Sequence, residues 1–214
     1  MLILGKSFPA EHWPDLWLMP IDCLHMTVLE ITHSVIEPEV QRHVDSLQSQ
    51  VQAITNYTFD HRSRLIKPMV GYDASAMALS LVPAAGEGLS SFNDSYSYHH
   101  LRRDLYALCK DAGATVASRY TLPSAHLTIA RYVTQDDFSI IDGTNCVPDE
   151  KKVKRWIKSL EEINLWLEEN YWPSKTGTIP DGGQWVVGQG RGLDFRKGPC
   201  WYGGGETVAM GRGS

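Results

Sequence analysis

Three stretches of the chain carry apolar residues at every third or fourth position, which is the spacing of an amphipathic helix. They cover about residues 38–54, 98–108 and 150–170. Ser34 and Glu37 have the spacing of a capping box before the first stretch. Gly113 is placed to end the second stretch, and Asp149 to cap the third. The pattern therefore predicts three helices, each with an apolar face that needs a sheet to cover it.

Shorter runs of apolar or alternating residues predict β-strands. They lie at about 16–19, 24–31, 64–72, 75–83, 116–121 and 125–133, and after residue 184 glycines separate further short runs. The runs at 64–72 and 75–83 are expected to form a hairpin, and the last ones to form hairpins that close the sheet. This order of elements favours an α+β fold with antiparallel pairing. We expect one domain over residues 1–214 with two lobes, each a sheet with its helices outside.

Two short strings share an unusual pattern, Leu24-His25-Met26-Thr27-Val28 and Ala125-His126-Leu127-Thr128-Ile129. Side chains alternate between the faces of a strand, so each histidine shares a face with its threonine and the aliphatic residues share the other. A single histidine on a strand is usually structural. Two such strings together indicate a site with two titrating imidazoles and two hydroxyls, which suits the chemistry of phosphate esters.

The composition of the chain limits which ligands this site would bind. The net charge of −5 and the pI near 5.9 argue against a general nucleic-acid coat, while leaving room for a small anion or one RNA end. The four cysteines have no metal-ligand spacing, and the expectation is reduced thiols in a cytoplasmic or nuclear protein. No run of residues has the length and character of a signal peptide or membrane span, so no membrane partner is expected. Serine-hydrolase and zinc-protease motifs are missing from the sequence.

The two strings and the chain between them, about residues 16 to 133, resemble the two-histidine phosphoesterase superfamily, also called LigT-like or cyclic phosphodiesterases. The run Pro123-Ser-Ala-His126-Leu-Thr128-Ile-Ala-Arg131 is similar to the second motif of that family, which often continues into an arginine. Leu24-His25-Met-Thr27-Val-Leu is similar to the first. The tail Trp201-Tyr-Gly-Gly-Gly-Glu-Thr resembles a fungal subgroup more weakly.

The resemblance implies two pseudo-symmetric lobes whose motif strands face each other across a central groove. It also implies hydrolysis of a nucleoside 2′,3′-cyclic phosphate or of a phosphodiester at an RNA 3′ end. His25 and His126 would be the acid and the base, because imidazole titrates near neutrality. His126 is provisionally the base. Thr27 and Thr128 would bind the phosphate oxygens. The reaction requires no metal or cofactor, and no obligate protein partner is inferred.

Further residues are candidates for substrate binding or for structural roles. Tyr132, Trp201 and Tyr202 are candidates for stacking a nucleobase, with core packing as the alternative. Arg131 lies five residues beyond His126, so simple alternation places it on the apolar face, and contact with phosphate requires a bulge or strand end. Glu30 holds the equivalent position after His25, and a structural ion pair is the alternative for both. The competing function is a non-catalytic nucleotide- or RNA-binding module of the same fold.

Overall fold

The computed structural model describes residues 13–88, 94–117 and 125–213. Its strands are β1 (Leu16–Leu18), β2 (Ser63–Tyr72), β3 (Ala76–Pro83), β4 (Ala125–Tyr132), β5 (Ser139–Asp142), β6 (Asn145–Pro148), β7 (Gln184–Val187), β8 (Asp194–Lys197) and β9 (Glu206–Met210). Its α-helices are α1 (Glu37–Leu47), α2 (Val51–Asn56), α3 (Tyr98–Asp111) and α4 (Glu150–Tyr171). Short 3₁₀ helices cover Ile21–Cys23, Tyr57–Phe59, Asp136–Phe138 and Cys200–Tyr202.

Five strands form one antiparallel sheet in the order β1-β4-β3-β2-β7, which confirms the α+β class. Strands β5 and β6 form a separate hairpin, as do β8 and β9. We expected a separate sheet in each lobe. In the described residues, β1 and β4 instead lie beside each other in the same sheet. The prediction of a single domain stays a prediction.

Helices α3 and α4 cover the apolar face of the sheet side by side. Leu127 of β4 packs with Leu101 and Leu105 of α3. Ile129 of the same strand packs with Trp156 of α4, whose first turn is capped by the Asp149 carboxylate as predicted. Alternation along β4 therefore turns His126 and Thr128 toward the opposite face.

The hairpin β2–β3 and the extents of α3, α4 and β4 confirm the sequence pattern. Asp73 stabilises the hairpin turn, where its carboxylate accepts hydrogen bonds from the amides of Ser75 (2.7 Å) and Ala76 (2.9 Å). Gly113 adopts the left-handed φ of +93° just beyond α3, a conformation that favours glycine. The predicted strand at 116–121 lies mostly outside the described residues.

The predicted helix over 38–54 is wrong in detail, because it is two helices. The amides of Gln48 and Gln50 bond to carbonyls three residues back, at 3.3 and 2.9 Å, and these tight turns separate α1 from α2. The capping box is also wrong. Ile36 is the N-cap residue and makes no side-chain cap, while Ser34 has a left-handed φ of 56° two residues earlier.

Three expectations about strands need correction. The predicted strand over 24–31 is reduced to an isolated bridge between Met26 and Leu127. Among the runs after residue 184, β7 joins the edge of the sheet, whereas β8 and β9 pair only with each other. The hairpin β5–β6 was not predicted. Within the described part of the chain, no helix has the length and apolar character needed to cross a membrane.

Candidate functional site

The two His-x-Thr strings lie side by side at one edge of the sheet. Strand β1 pairs with the end of β4, and after the 3₁₀ helix Ile21–Cys23 the chain returns to β4 at the antiparallel bridge of Met26 with Leu127. In antiparallel pairing, the neighbours of a bridged pair also lie opposite each other. His25 is therefore opposite Thr128, and Thr27 is opposite His126.

This register places both histidines and both threonines on one face, in a two-by-two array. The bridged Met26 and Leu127 both contribute to the core on the other face. In such an array the histidines are diagonal neighbours, about 7–8 Å apart at their Cα atoms. Two imidazole rings at that separation can both reach one group of the size of a phosphate between them. We call these four residues the His/Thr array.

His25 is oriented by the main chain close to it. Its Nδ1 lies 2.9 Å from the carbonyl oxygen of Cys23, which can only accept a hydrogen bond. Nδ1 is therefore the protonated nitrogen, and Nε2 is the nitrogen available to a ligand.

His126 is half-buried. Burial lowers the pKa of its imidazole below the ordinary value of 6.5, and the positive charges of Arg102 and His25 act in the same direction. Below neutral pH this ring therefore stays unprotonated further into the acid range than a free histidine.

Two residues near the array were missed by sequence reasoning, Tyr98 and Arg102 of α3. The Tyr98 hydroxyl donates to the carbonyl of Thr27 at 3.4 Å, and the Arg102 guanidinium lies 4.3 Å from the centre of the Tyr98 ring. Both residues are buried, with Arg102 only 4% exposed. A signal was present, because Arg102 falls on the apolar stripe of α3 where a charge is rarely buried without a reason.

A β-bulge in β4 determines which of the next side chains face the array. Ala78 of β3 pairs with Thr128 and Met77 pairs with Ala130, so Ile129 is the extra residue. Simple alternation would turn Arg131 to the apolar face. The bulge reverses this and places Arg131 opposite Trp17 on the face of the array.

The same bulge turns Tyr132 into the core. Its ring packs edge-on against Phe138 and Trp156, with centroids 5.4 and 5.6 Å apart. Burial raises the pKa of its hydroxyl above the usual value of 10. Of the three aromatic candidates, Tyr132 has the position of a core residue.

Trp201 and Tyr202 lie beside the array, in a loop that we call the aromatic loop (residues 198–205). The Trp201 indole donates to the Glu30 carboxylate at 3.0 Å. The Tyr202 ring centre lies 4.9 Å from the Arg131 guanidinium carbon and 5.7 Å from the Trp17 ring centre. Glu30 and Arg131 therefore each contact the aromatic loop, and no ion pair between them is found among the described residues.

A cavity of about 570 Å³ lies at the end of β4, the strand that carries His126 and Thr128. Its walls include Trp17, Arg131 and Tyr202, together with the turn between β2 and β3, and Tyr132 also lines it although its ring packs on the core. A larger cavity of about 720 Å³ lies by β2 and β7 and is lined by residues such as Arg64, Glu87 and Gln184. Neither cavity is lined by a member of the array, and we assign the candidate site to the smaller one because Arg131 of β4 and Tyr202 of the aromatic loop line it.

Among the described residues, no group of three or more histidine, cysteine, aspartate or glutamate side chains is arranged to hold a metal ion. All four cysteines are free thiols, as expected. Comparison of this chain with protein-family models, curated proteins and solved structures found no match.

Proposed function

We propose that this protein is a phosphodiesterase that hydrolyses a nucleoside 2′,3′-cyclic phosphate or a phosphodiester at an RNA 3′ end. The observation that supports this proposal is the Met26–Leu127 bridge, because its register puts His25, Thr27, His126 and Thr128 on one face. The motifs that resemble the two-histidine phosphoesterases are thus brought together by a contact that the sequence pattern alone does not specify.

In the proposed reaction, a water molecule attacks the phosphorus while His126 accepts its proton. The bond from phosphorus to the 2′ or 3′ oxygen breaks, and protonated His25 donates the Nε2 proton to that leaving oxygen. The lowered pKa of His126 suits the base, since this ring is neutral when the reaction begins. The Cys23 carbonyl suits the acid, since it accepts from Nδ1 of the His25 imidazolium.

The remaining candidates have supporting roles in this proposal. The hydroxyls of Thr27 and Thr128 donate to the non-bridging phosphate oxygens, where negative charge increases in the transition state. The cavity at the end of β4 accommodates the nucleoside, with Tyr202 as a stacking surface and Arg131 as a cation directed at a phosphate oxygen.

The test is incubation of the purified protein with 2′,3′-cyclic nucleotides and with oligonucleotides that end in a cyclic phosphate, with EDTA present. We expect ring opening to a nucleoside monophosphate, which chromatography detects. The rate of this reaction should fall at least about a thousandfold in His25→Ala and in His126→Ala. Turnover retained in the double histidine variant would refute the mechanism. Binding of 2′-AMP without hydrolysis of any cyclic phosphate would instead support the binding-module alternative.

A further inference from the structure

The segment that carries His25 is weakly held by the sheet. His126 is part of β4, which pairs with β3 along this stretch, whereas β1 pairs only with the far end of β4 at Ala130–Tyr132. The segment around His25 pairs with β4 through one isolated bridge at Met26. One bridge fixes the register of the segment and the face of its neighbours, but the orientation of the His25 ring depends on further contacts.

The aromatic loop supplies such contacts on both sides of His25 along the chain. Gly203 lies directly against Cys23, because a Cβ atom on Gly203 would be 2.2 Å from the Cys23 Cβ and 2.6 Å from its sulfur. On the other side, Trp201 donates to Glu30 and its ring centre lies 6.2 Å from that of His33. Residues 23 to 33 are therefore held at two points by one loop.

We propose that the aromatic loop is a positioning element for catalysis, acting on His25 through the main chain of Cys23. Two contacts connect the loop to His25. Gly203 packs on Cys23, and the Cys23 carbonyl accepts a hydrogen bond from Nδ1 of His25. Displacement of Cys23 removes the acceptor that keeps the proton on Nδ1 and Nε2 toward the substrate. The catalytic part of this inference rests on the proposed function, whereas the orientation of the ring does not.

Gly203 has a conformational as well as a steric reason to be glycine. Its φ is +78°, in the left-handed region, and it follows directly on the 3₁₀ helix Cys200–Tyr202. Gly143, in the turn between β5 and β6, has a similar φ of +64°, but a Cβ atom there would meet nothing within 4 Å. Alanine at these two positions imposes the same kind of backbone strain, and only at Gly203 does it also push on Cys23.

The experiment compares Gly203→Ala with Gly143→Ala by ¹⁵N NMR of the histidine rings at alkaline pH, where the neutral tautomer is observed. In the unaltered protein we expect the His25 signals of a ring protonated at Nδ1. In Gly203→Ala we expect a shift toward the Nε2-protonated tautomer or an average of the two, and no change in Gly143→Ala. An unchanged His25 tautomer in folded Gly203→Ala, or an Nε2-protonated ring in the unaltered protein, would overturn the inference.

A second variant covers the case in which Gly203→Ala does not fold. Trp201→Phe keeps an aromatic ring but removes the indole N–H, so the hydrogen bond to Glu30 is lost. We expect the His25 signals of this variant to change in the same direction as those of Gly203→Ala. The His25 signals of Glu30→Gln, which keeps an oxygen acceptor, should be closer to those of the unaltered protein than the signals of Glu30→Leu are. Identical His25 spectra in Trp201→Phe, Glu30→Leu and the unaltered protein would count against the inference.

Kinetics complete the test where the protein turns over a cyclic nucleotide. We expect Gly203→Ala to lower kcat roughly tenfold to a hundredfold with little change in KM, since the proton donor is misplaced while phosphate binding is retained. A change in KM alone would contradict a role in positioning the acid. If no substrate is turned over, the proposed function fails, and the NMR comparison still decides whether the loop orients His25.

Discussion

Asn164 of α4 holds the β2 backbone at a point where the sheet offers no partner. Strand β7 pairs with β2 only from Ser63 to Ile66, so beyond that point the outer edge of β2 lacks a neighbouring strand among the described residues. There the Val70 amide donates to the Asn164 side chain at 2.7 Å, and the Asn164 amide donates to the Val70 carbonyl at 2.9 Å. The side chain thus replaces a strand for one residue.

We expect Asn164→Ala to lower the free energy of unfolding by about 3 kcal/mol. Each of the two hydrogen bonds contributes about 1 kcal/mol, and leaving the Val70 amide unpaired beneath the helix costs about 1–3 kcal/mol. The better helix propensity of alanine returns about 0.5 kcal/mol. For a chain of this size, a loss of about 3 kcal/mol lowers Tm by roughly 6–12 °C.

The assay is urea denaturation together with a thermal scan, with Asn170→Ala as the control. Asn170 lies on the same helix, is exposed, and makes one hydrogen bond to the carbonyl of Trp166, four residues back. Its replacement should change the free energy of unfolding by no more than about 0.5 kcal/mol. Equal losses in the two variants, or a loss below about 1 kcal/mol in Asn164→Ala, would refute this account of the exposed edge of β2.

Three further predictions concern the array and the second cavity. The rate of hydrolysis should fall as the pH drops through the lowered pKa of His126, because protonation removes the base. Arg102→Met should move this acid limb of the pH–rate profile to higher pH, because it removes a nearby positive charge. An acid limb that does not move in a folded variant would argue against that electrostatic effect. Thr128→Val should lower kcat roughly a hundredfold at unchanged Tm if its hydroxyl stabilises the transition state, and full activity would exclude that role. Asp94→Asn should destabilise the fold by about 3–5 kcal/mol in urea denaturation, because it leaves the buried Arg64 guanidinium without a counter-charge; a near-neutral result would mean that the pair adds nothing to the fold.

Local patterns predicted the elements whose stability comes from one buried face. Strand β4 and helices α3 and α4 have clear apolar stripes, and the structure contains them close to the predicted bounds. The His25 string has the same alternation as β4 but forms only a bridge. Alternation describes which side a residue faces, whereas a ladder also needs a partner backbone in continuous register, which depends on residues far away in the sequence.

The placement of the remaining candidates depended on one bulge and one loop. Whether Arg131 or Tyr132 faces the array is decided by the extra residue Ile129, and nothing in the pattern Thr-Ile-Ala-Arg distinguishes a bulged from a regular strand. Trp201 and Tyr202 were chosen from their residue type alone. Their approach to Glu30 and Arg131 follows from how the β8–β9 hairpin packs on the rest of the chain, which sequence periodicity does not encode.

The two halves of the array differ in how firmly they are built, and this difference agrees with the proposed roles. His126 lies within the regular ladder of β4 with β3, and its burial lowers the pKa of the ring, as a base that must start neutral and accept a proton from one fixed direction requires. His25 lies on an edge segment held by one bridge and by the aromatic loop, where small adjustments cost little. An acid needs that latitude, because the leaving oxygen moves away from phosphorus as the bond breaks. The aromatic loop would limit the movement of the His25 ring to the distance that proton transfer requires.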